Sequence, residues 1–552
     1  MVTHRDTLRL VPLGGLGEIG MNCLVLEWRD EIILIDCGIQ FPDARYPGAD
    51  LLAPDFSYLS DRWKKVRAVV VTHGHDDHIG AIPFLARNRD IDVYCTPFPR
   101  GLLDNKLDEI KTEYEVRFHK IKPRKKFKIG SFEFDPIPVQ HSIIESLALC
   151  ITTPVGRVIH TGDFKHDQNE MGDEDAFEIF AGLGKEGVRL LLSDSTNAER
   201  TGHTISEEDI EQSFQTLLTK QKGRIIIALF ASNIRRIERL LKVIHSQGKR
   251  VALAGRSMNS YTKLAHALSA LNIPEDTLVP LANIHDIPKK NLVILCTGSQ
   301  AEPQSALLRM ATGTHKDVQV DTGDLIMLSS RFIPGNERAI TNMIDNLYRA
   351  GADVLYESIH QIHVSGHGFQ DELMMMLNSV KPECFIPIHG EYRHLAKHAL
   401  LAERSGVKRS NIRVIENGQI VELSAKVMEL GDRLNMQKTV IVENEAMHRS
   451  PEIFSQRNSL AKTGIVFCTF LIDHRTHRLL MEPVVSAYGV LYREIETDPN
   501  LILDEASHAM RKLYRNASKS DDFLETARIE LRRFFKQRAS HKPVAIPLML
   551  EI

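Results

Sequence analysis

The segment from His73 to His78 contains four side chains of the kinds that hold metal ions in proteins. It reads His-Gly-His-Asp-Asp-His and follows the apolar run Ala68–Val71. Side chains two positions apart in an extended segment point the same way, so His73 and His75 can reach one ion. Asp77 and His78, where the chain turns, can face a second ion beside it. Imidazole and carboxylate ligands suit zinc, so the pattern favours a catalytic metal site over a surface loop rich in His and Asp.

Two adjacent ions need further ligands, one of which must bridge them. Four candidates stand at the ends of apolar, strand-like runs: Asp36, His141, Asp163 and His389. Taken singly, each fits a polar residue that merely ends a strand. Strand ends are where loops commonly carry chemistry, and the four candidates together with the His-rich segment predict one shared site.

Two other motifs have simpler explanations. Gly15–Gly20 matches the dinucleotide fingerprint G-x-G-x-x-G, but the run Cys23–Trp28 that follows is strand-like, whereas the fingerprint needs a helix. We therefore predict a tight Gly-rich turn. The acidic loop with Asp43, Asp50 and Asp55 has oxygen ligands for a structural cation near Asp50, although a solvated loop is the favoured alternative.

The composition is that of a globular protein in a reducing compartment. Of the 552 residues, 43% are hydrophobic and 26% charged, and the length predicts about three domains. The seven Cys form no C-x-x-C pair, which argues against a disulfide framework. No signal peptide and no apolar run of ~20 residues are evident, so we expect a soluble, cytoplasmic protein without a membrane partner. The net charge is −3, but basic residues cluster within 119–128 and 528–538.

The predicted secondary-structure elements that must position these residues change in type along the chain. Residues 1–207 contain mainly short strands, and 208–370 alternate amphipathic helices with buried strands, which predicts an inserted parallel α/β domain. Residues 371–430 return to the first domain. Residues 431–463 have the polar composition of a linker, and 464–552 form a small α/β domain.

The order Asp, H-x-H-x-D-H, His, Asp, His resembles the metallo-β-lactamase fold. The insertion, with Asp194, His367 and His389 at the expected motif positions, resembles the β-CASP nucleases, in which a His at the third position is associated with RNA. The stretches Gly255–Met258, Thr297–Gln300 and Ile333–Glu337 are similar to those of bacterial ribonuclease J. This resemblance covers essentially the whole chain.

The resemblance implies an αββα sandwich that carries a β-CASP domain and a C-terminal domain. It also implies two Zn²⁺ ions per subunit, with Mn²⁺ as an alternative. One ion would be held by His73, His75, His141 and Asp163, and the other by Asp77, His78, Asp163 and His389. Asp163 would bridge the two ions, and Asp36 would orient ligands without binding a metal directly.

The implied reaction is the hydrolysis of RNA phosphodiesters. Two such ions activate a water and clamp an in-line displacement. We predict that His367 is the general acid and that Asp194 orients it and raises its pKa. Asp77 is also predicted to be a catalytic residue.

Two segments are predicted to bind RNA phosphates. Ser232 and Asn233 lie at a strand-to-helix junction, where backbone N–H groups favour anions, although ordinary helix capping explains them equally well. The Gly-rich turn offers further donors from Val364, Ser365, Gly366, His367 and Gly368. In ribonuclease J-like enzymes these segments look like a pocket for an RNA 5′-monophosphate.

The leading interpretation is a 5′-to-3′ exoribonuclease of mRNA decay and rRNA processing that also cleaves internally. Its substrate would be single-stranded RNA with a 5′-monophosphate. The resemblance also implies a homodimer or homotetramer, with RNA-decay or ribosome-associated partners. The alternatives are a purely endonucleolytic β-CASP nuclease, a glyoxalase-like hydrolase of small molecules, and a non-catalytic subunit. A large insertion argues against the hydrolase, and intact ligands argue against the non-catalytic subunit.

Overall fold

The computed structural model of the chain describes residues 7–167, 169, 175–333, 335–357, 362–447, 451–493, 498–517, 522–539 and 541–552. They belong to two compact units. The larger contains Leu51–Ala446 and the segment that ends at Phe41, and the smaller contains Pro42–Asp50 and Met447–Ile552. Within these described ranges, no helix has both the length and the apolar character that crossing a bilayer requires.

Among the described residues, the N-terminal region of the larger unit forms thirteen strands and four α-helices. The strands are β1 (Leu8–Gly14), β2 (Leu16–Gly17), β3 (Cys23–Trp28), β4 (Glu31–Ile35), β5 (Leu51–Ala53), β6 (Val66–Val70), β7 (Ile91–Cys95), β8 (Val116–Lys120), β9 (Phe127–Ile129), β10 (Phe132–Pro138), β11 (Leu147–Thr153), β12 (Gly156–His160) and β13 (Leu190–Asp194). The helices are α1 (Asp76–Ile79), α2 (Ile82–Leu85), α3 (Pro97–Glu109) and α4 (Ala176–Glu186). Strand β3 follows the Gly-rich segment, so that segment opens no helix, as predicted.

A parallel α/β domain follows. Its elements are α5 (Glu207–Lys220), β14 (Ile225–Ala228), α6 (Ile234–Ser246), β15 (Arg250–Ala254), α7 (Arg256–Ala267), β16 (Leu292–Cys296), α8 (Ala306–Ala311), β17 (Leu325–Leu328), α9 (Glu337–Arg349) and β18 (Asp353–Leu355). The strands pair in the order β15-β16-β14-β17-β18, all parallel. Their carboxyl ends therefore meet at one edge, where open α/β sheets bind ligands.

The chain then returns to the first domain. The returning elements are α10 (Gln370–Val380), β19 (Cys384–Ile388), β20 (Gly390–Glu391), α11 (Tyr392–Arg404), β21 (Gln419–Leu423), β22 (Met428–Arg433), β23 (Thr439–Val442) and β24 (Glu445–Ala446). Strand β19 pairs in parallel with β13, from Leu190 opposite Cys384 to Asp194 opposite Ile388. The α/β domain is thus an insertion between two neighbouring strands of one sheet.

Two sheets form the sandwich of the larger unit. An eight-stranded sheet has the order β22-β21-β1-β3-β4-β6-β7-β8, and a six-stranded sheet has the order β19-β13-β12-β11-β10-β9. Apolar side chains of both sheets fill one core, including Leu26, Val70, Phe132 and Leu149. Burying a Phe side chain there contributes roughly 1.5–3 kcal/mol. Helices α4, α10 and α11 cover the outer face of the six-stranded sheet.

The smaller unit contains α12 (Pro451–Thr463), β25 (Ile465–Ile472), β26 (Val484–Tyr488), α13 (Pro499–Ala517), α14 (Phe523–Arg538) and β27 (Val544–Glu551). Strand β25 lies between antiparallel β26 and parallel β27. One face of this sheet, with Val466, Cys468 and Phe470, packs against α13 and α14. Five short 3-10 helices complete the assignment for the described residues: Phe56–Leu59, Trp63–Lys65, Leu281–Asp286, Lys289–Asn291 and Arg409–Asn411.

The predicted linker, 431–463, differs most from the structure. It contains the end of β22, then β23 and β24, and all of α12. Strand β23 pairs with β5, with Ile441 opposite Leu51. The physical reason is the β-branched run Thr439–Val442, which favours a strand and buries Ile441 completely despite polar surroundings.

Candidate metal centre and active site

The first group of candidate ligands gathers at the ends of β6, β10 and β12. His73 Nε2 and His141 Nε2 each lie 3.1 Å from His75 Nδ1. Asp163 Oδ2 lies 3.6 Å from His73 Nε2 and 3.8 Å from His141 Nε2. Ligands about 2.1 Å from a tetrahedral ion lie about 3.4 Å from one another. These four atoms therefore have the spacing of a single metal site.

A second group lies against the first and shares a carboxylate with it. Asp163 Oδ2 is 3.2 Å from His78 Nε2 and 3.4 Å from His389 Nε2. Asp77 Oδ2 is 3.3 Å from His389 Nε2 and 3.7 Å from His78 Nε2. One oxygen of Asp163 thus faces nitrogens of both groups, which is the position of a bridging ligand. The predicted ligands all converge in the structure.

Each candidate ligand histidine has an oxygen beside its other ring nitrogen. His78 Nδ1 lies 2.7 Å from Asp36 Oδ2, His389 Nδ1 2.7 Å from Thr196 Oγ1, and His141 Nδ1 2.6 Å from the carbonyl of Gly366. His73 Nδ1 lies 3.0 Å from Thr72 Oγ1, and His75 Nε2 lies 3.2 Å from Ser232 Oγ. Such partners fix the ring orientation and leave the opposite nitrogen for a metal ion.

An unusual backbone conformation also orients two of the side chains at the site. Asp36 and His389 follow β4 and β19 in the left-handed region, with φ of 60° and 54°. Non-glycine residues rarely adopt this conformation, which often marks a functional constraint. Asp36 also accepts hydrogen bonds from the Thr72 backbone N–H and hydroxyl. The carboxylate therefore ties the end of β4 to the start of the His-rich loop.

The two groups of histidines differ in the direction of their pKa shifts. Burial is the largest influence on His73, His75 and His141 and lowers their pKa values, that of His75 to about 4, so their lone pairs stay available. Burial also disfavours charge on His389, but Asp163 and the hydrogen bond to Asp77 raise its pKa to about 9. The carboxylates around His389 thus favour positive charge at this position, which a divalent cation can supply. The donor set fits such a cation.

His367 and Asp194 stand beside the second group. His367 Nδ1 lies 2.7 Å from Asp194 Oδ2 and 4.0 Å from Asp163 Oδ2. Burial opposes charge on His367, but the charge of Asp194 and its hydrogen bond raise the pKa of the imidazole overall. Asp194, His367, Asp163 and His389 also lie close enough together to hold a cation. The predicted pair is therefore in contact with the candidate metal centre.

The Gly-rich turn is held from inside by its own hydrogen bonds. Asn197 Nδ2 donates to Ser365 Oγ at 2.7 Å and to the carbonyl of His367 at 2.9 Å, and the His367 N–H donates to Ser365 Oγ at 3.1 Å. A Cβ on Gly366 would lie 2.8 Å from both His141 Cε1 and Ser142 Oγ, so only glycine fits there. The Gly368 N–H donates to the carbonyl of Phe164.

Three predicted binding residues have other roles in the structure. Asn233 is buried, and its side-chain oxygen accepts from the Arg236 N–H, so it caps α6. The Val364 side chain is buried, and its carbonyl accepts from Arg236. The Ser232 hydroxyl lies 3.2 Å from His75 Nε2 and so supports a candidate ligand, and its contact with phosphate stays a prediction. The sequence could not separate capping from phosphate binding because both use the same residue types.

In the described part of the chain, the acidic residues around Asp50 belong to no group of three or more potential metal ligands. Asp43 pairs with Arg45 at 2.6 Å, and Asp55 accepts from the backbone N–H groups of Ser57 and Gln437. Among the described residues, the groups of three or more potential metal ligands all lie at the centre built around Asp163. The predicted structural cation therefore has no ligand cluster there.

Sequence analysis missed four residues that organise the site: Asn22, Thr72, Thr196 and Asn197. Asn22 Nδ2 donates to the carbonyl of Asp77 and lies 3.0 Å from His78 Nε2. Thr72 directly precedes the His-rich segment, and the other two follow Asp194. Adjacency to predicted site residues was the available signal for these three. Asn22 gave none, because only the tertiary fold brings it to the site.

Family models match successive parts of the chain. Residues 31–203 match the Beta-lactamase superfamily domain, and 222–347 match the Ribonuclease J, beta-CASP domain. Residues 351–414 match the Zn-dependent metallo-hydrolase RNA specificity domain, and 452–552 match the Ribonuclease J C-terminal domain. The predicted fold class is confirmed.

Curated relatives resemble the chain along nearly its whole length. Ribonuclease J 1 of Streptococcus pyogenes is 35% identical over 98% of this chain and 96% of its own. Ribonuclease J2 of Bacillus subtilis is 33% identical over 100% and 99%. Ribonuclease J of Thermus thermophilus is 34% identical over 99% and 96%.

A solved structure of a protein of unknown function from Enterococcus faecalis covers 76% of this chain and 100% of its own, with a TM-score of 0.53 at 14% identity. That likeness concerns the fold alone. The candidate metal centre, the domain matches and the full-length relatives agree on a metal-dependent hydrolase of RNA. The chain belongs to the ribonuclease J family of β-CASP metallo-hydrolases.

Proposed function

We propose that this ribonuclease works with two zinc ions, degrades single-stranded RNA from a 5′-monophosphate end toward the 3′ end, and also cleaves internally. The observation that carries the proposal is the position of Asp163 Oδ2, which lies between two groups of ligand nitrogens at 3.2–3.8 Å. Paired metal centres with one shared carboxylate suit in-line displacement at phosphorus. Manganese is the alternative metal.

The proposed metal assignment follows from these contacts. His73, His75 and His141 would hold one ion, and Asp77, His78 and His389 the other. Asp163 would hold both, since its Oδ2 faces His73 and His141 as well as His78 and His389. When bound, the ions supply an acidified water and a positive clamp on the scissile phosphate. Asp36 and Thr196 hold His78 and His389 in the ring orientation that the site needs.

His367 is the proposed general acid for the 3′-oxygen leaving group. Its Nδ1 is taken by Asp194, and among the described residues no protein partner contacts its Nε2, which can therefore carry a proton to substrate. Its side chain is 20% exposed, so substrate can reach it. The carboxylate of Asp194 raises the pKa of the ring and so favours its protonated form, which a general acid needs.

The proposed pocket for the 5′-monophosphate is the turn Ser365–Gly368, close to the metal ligands. Ser365 Oγ accepts two internal hydrogen bonds, from Asn197 and from the His367 N–H, so its own proton can be donated outward to a phosphate. A pocket fixed at one distance from the ions would release nucleotides singly from the 5′ end.

The decisive experiment compares three RNAs of one sequence: 5′-monophosphate linear, 5′-hydroxyl linear and circular. We expect mononucleotides from the first, slower release from the second and linear fragments from the third. Chelation should abolish all three activities, and added Zn²⁺ or Mn²⁺ should restore them. Elemental analysis should find two ions per chain. Cleavage that survives chelation, or a single ion per chain, would contradict the metal proposal.

The same RNAs distinguish the second candidate function, a purely endonucleolytic enzyme, from the first. A purely endonucleolytic enzyme would cut circular RNA and release internal fragments from both linear RNAs, without mononucleotides. The shared position of Asp163 supports both candidates equally. The turn at Ser365–Gly368 favours the exonuclease because it offers a terminal phosphate a fixed position beside the metal ligands.

We further propose a homodimer or homotetramer that assembles through the smaller unit, in the cytoplasm and with RNA-decay or ribosome-associated partners. The sheet face opposite α13 and α14 exposes apolar side chains in register: Val484 is 49% exposed, Tyr488 65%, Leu548 44% and Leu550 53%. Contiguous apolar patches of this kind mark association surfaces. All seven Cys are buried and free, which suits a reducing compartment.

A further inference from the structure

A lysine-rich surface lies at the catalytic edge of the sandwich but outside the residues that form the metal centre. It comprises Lys120 at the end of β8, with Lys122 and Lys125 in the turn that leads to β9; we call these three the lysine ridge. All three side chains are exposed. From the position, charge and surroundings of this ridge, we propose that it binds the phosphate backbone of RNA that extends beyond the catalytic centre. The inference rests on RNA being the substrate.

The first support is the position of the ridge. Strands β6, β7 and β8 run parallel, and their carboxyl ends are joined in a row: the Val71 N–H donates to the carbonyl of Tyr94, and the Ile121 N–H to that of Cys95. The His-rich loop leaves the end of β6. Neighbouring strands lie about 4.8 Å apart, so the ridge starts about 10 Å across the sheet from that loop, at the same edge.

The second sheet brings the ridge toward the site as well. The Arg124 N–H in the same turn donates to the carbonyl of Pro136 in β10, and β10 leads on to the candidate ligand His141. The turn is thus fixed to the strand that delivers a ligand. An RNA strand held at the metal centre can reach the ridge without crossing to another side of the sandwich.

The second support is unpaired charge. Neighbouring basic residues are already compensated: Arg124 pairs with Asp135 at 3.1 Å and Lys128 with Glu133 at 3.2 Å. The three ridge lysines form no ion pair within the described parts of the chain. Their charge is therefore available to phosphates, although the whole chain carries a net charge of −3.

The third support is a row of stacked rings beside the lysines. His119 stacks on Tyr94 with centroids 4.5 Å apart, and Tyr94 stacks on Phe127 at 5.2 Å. His119 is at the exposed end of the row, and its side chain is 43% accessible. Backbone-tracking cations next to accessible rings are the combination with which proteins hold single-stranded nucleic acid.

The test uses the full-length, metal-loaded enzyme and the triple variant Lys120→Ala/Lys122→Ala/Lys125→Ala. The kcat/KM is measured on a 5-nucleotide and a 40-nucleotide RNA, both with 5′-monophosphates, between 50 and 200 mM salt. Each phosphate contact with single-stranded nucleic acid contributes about 0.7 to the slope of log affinity against log salt. Three lost contacts should lower the salt slope for the long RNA by about 2. Between 50 and 200 mM salt, the kcat/KM of the wild type should therefore fall by a factor about 15 times larger than that of the variant.

The matched control is Lys220→Ala/Lys222→Ala/Lys290→Ala. These exposed lysines precede β14 and β16, at the amino-terminal edge of the inserted sheet, opposite to Ser232. The control should behave as the wild type on both RNAs, and the ridge variant should match the wild type on the short RNA. An unchanged salt slope on the long RNA, or an equal loss on both RNAs, would overturn the inference. Failure of the wild type to cleave the short RNA would instead refute the proposed function.

Discussion

The chemistry of each histidine in the centre depends on the atom that its second ring nitrogen contacts. The carbonyl of Gly366 can only accept, so His141 carries its proton on Nδ1 and presents a lone pair from Nε2. His367 contacts the carboxylate of Asp194 instead, which favours the charged ring. Two histidines with ring centroids 5.0 Å apart thus suit opposite tasks, metal binding and proton donation.

His367→Ala should lower kcat by about 10²- to 10⁴-fold, the range for a lost general acid, while the metal content stays at the wild-type value. The deficit should shrink on RNA with a 3′-thio leaving group, because a thiolate leaves without a proton. His474→Ala, a surface histidine that is 74% exposed, is the control. A deficit of the same size on the thio substrate would exclude the acid role, and loss of an ion would indicate a ligand.

Ser365→Ala should reduce the preference for 5′-monophosphate over 5′-hydroxyl RNA by about 10- to 150-fold, because one hydrogen bond to a charged group contributes roughly 1.5–3 kcal/mol. The measurement is the ratio of kcat/KM for the two RNAs. Since Ser365 also accepts from Asn197, a distorted turn would slow both RNAs equally. An unchanged ratio would argue against a phosphate contact at this hydroxyl.

At the scale of elements, the site depends on a close contact between residues 37–39, which follow β4 and Asp36, and helix α1. The Cys37 N–H donates to the carbonyl of His78, and the Ile39 N–H to that of Asp76. A Cβ on Gly38 would lie 1.6 Å from the carbonyl oxygen of Asp77. This position therefore requires glycine, and the contact sets the position of two candidate ligands.

Gly38→Ala should destabilise the protein by about 1–3 kcal/mol or more, as overpacking does, and should reduce the bound metal. Gly182→Ala in α4 is the matched control, because no atom lies within 4 Å of its added Cβ and alanine favours helices by about 1 kcal/mol. Denaturant unfolding and elemental analysis measure both effects. A Gly38→Ala protein with wild-type stability and two ions would refute the contact argument.

A buried ion network joins the insertion to the sandwich. Glu207 at the start of α5 contacts Arg236 of α6 at 2.8 Å, and Arg236 also donates to the carbonyls of Ser329 and Val364. Lys165, two residues after Asp163, lies 3.7 Å from Glu207. The network thus connects helices α5 and α6 of the insertion with two segments of the site, the one that carries Asp163 and the Gly-rich turn.

The network predicts a pH-dependent stability. Burial opposes charge on Glu207, but Arg236 and Lys165 lower its pKa to about 2. A carboxyl whose pKa is depressed on folding stabilises the protein fully above its unfolded pKa and loses this contribution as pH falls toward the folded value. Glu207→Gln should therefore cost about 3–5 kcal/mol at pH 7, and the cost should shrink below pH 4.5.

Unfolding of the metal-free proteins measures this prediction, because metal release at low pH would otherwise dominate the result. Glu211→Gln is the matched control on the same helix. Glu211 pairs with Arg239 of α6, but the two side chains are 34% and 28% exposed, so its removal should cost less than about 1 kcal/mol. A pH-independent difference for Glu207→Gln would show that its charge does not stabilise the fold.

At the scale of the whole molecule, the smaller unit provides the surface proposed for assembly. Its sheet uses one face for its own core, around Phe470, and leaves the other face with Tyr488 and Leu550 accessible. A second copy offers an identical face, so a two-fold interface is self-complementary.

Leu548→Glu/Leu550→Glu should shift the mass in sedimentation equilibrium from a multiple of the 62.4 kDa chain to the single chain. Charges placed in a desolvated apolar interface oppose association. Ile529→Glu, on the outward side of α14 and 46% exposed in the wild type, should leave the mass unchanged. A double variant that keeps the wild-type mass would place the assembly surface elsewhere.

Sequence alone determined the candidate ligands and the domain order. Ligand types packed as H-x-H-x-D-H are rare without a metal, and the change from short strands to alternating helices and strands predicts an inserted domain. The family matches confirm the fold class and the ribonuclease assignment. The segment 431–463 escaped prediction because its composition is polar although one short β-branched run pairs with β5.

Only the tertiary structure decided which residues support the ligands. Asn22, Thr72, Thr196 and Ser232 are common polar residues. Their roles arise from contacts between segments far apart in the chain, which for Thr72 is the contact with Asp36. The structure also assigned Asn233 to a helix cap. The physical reason is that ligand identity is a property of side-chain chemistry, which the sequence contains, whereas support depends on distances of about 3 Å that folding alone sets.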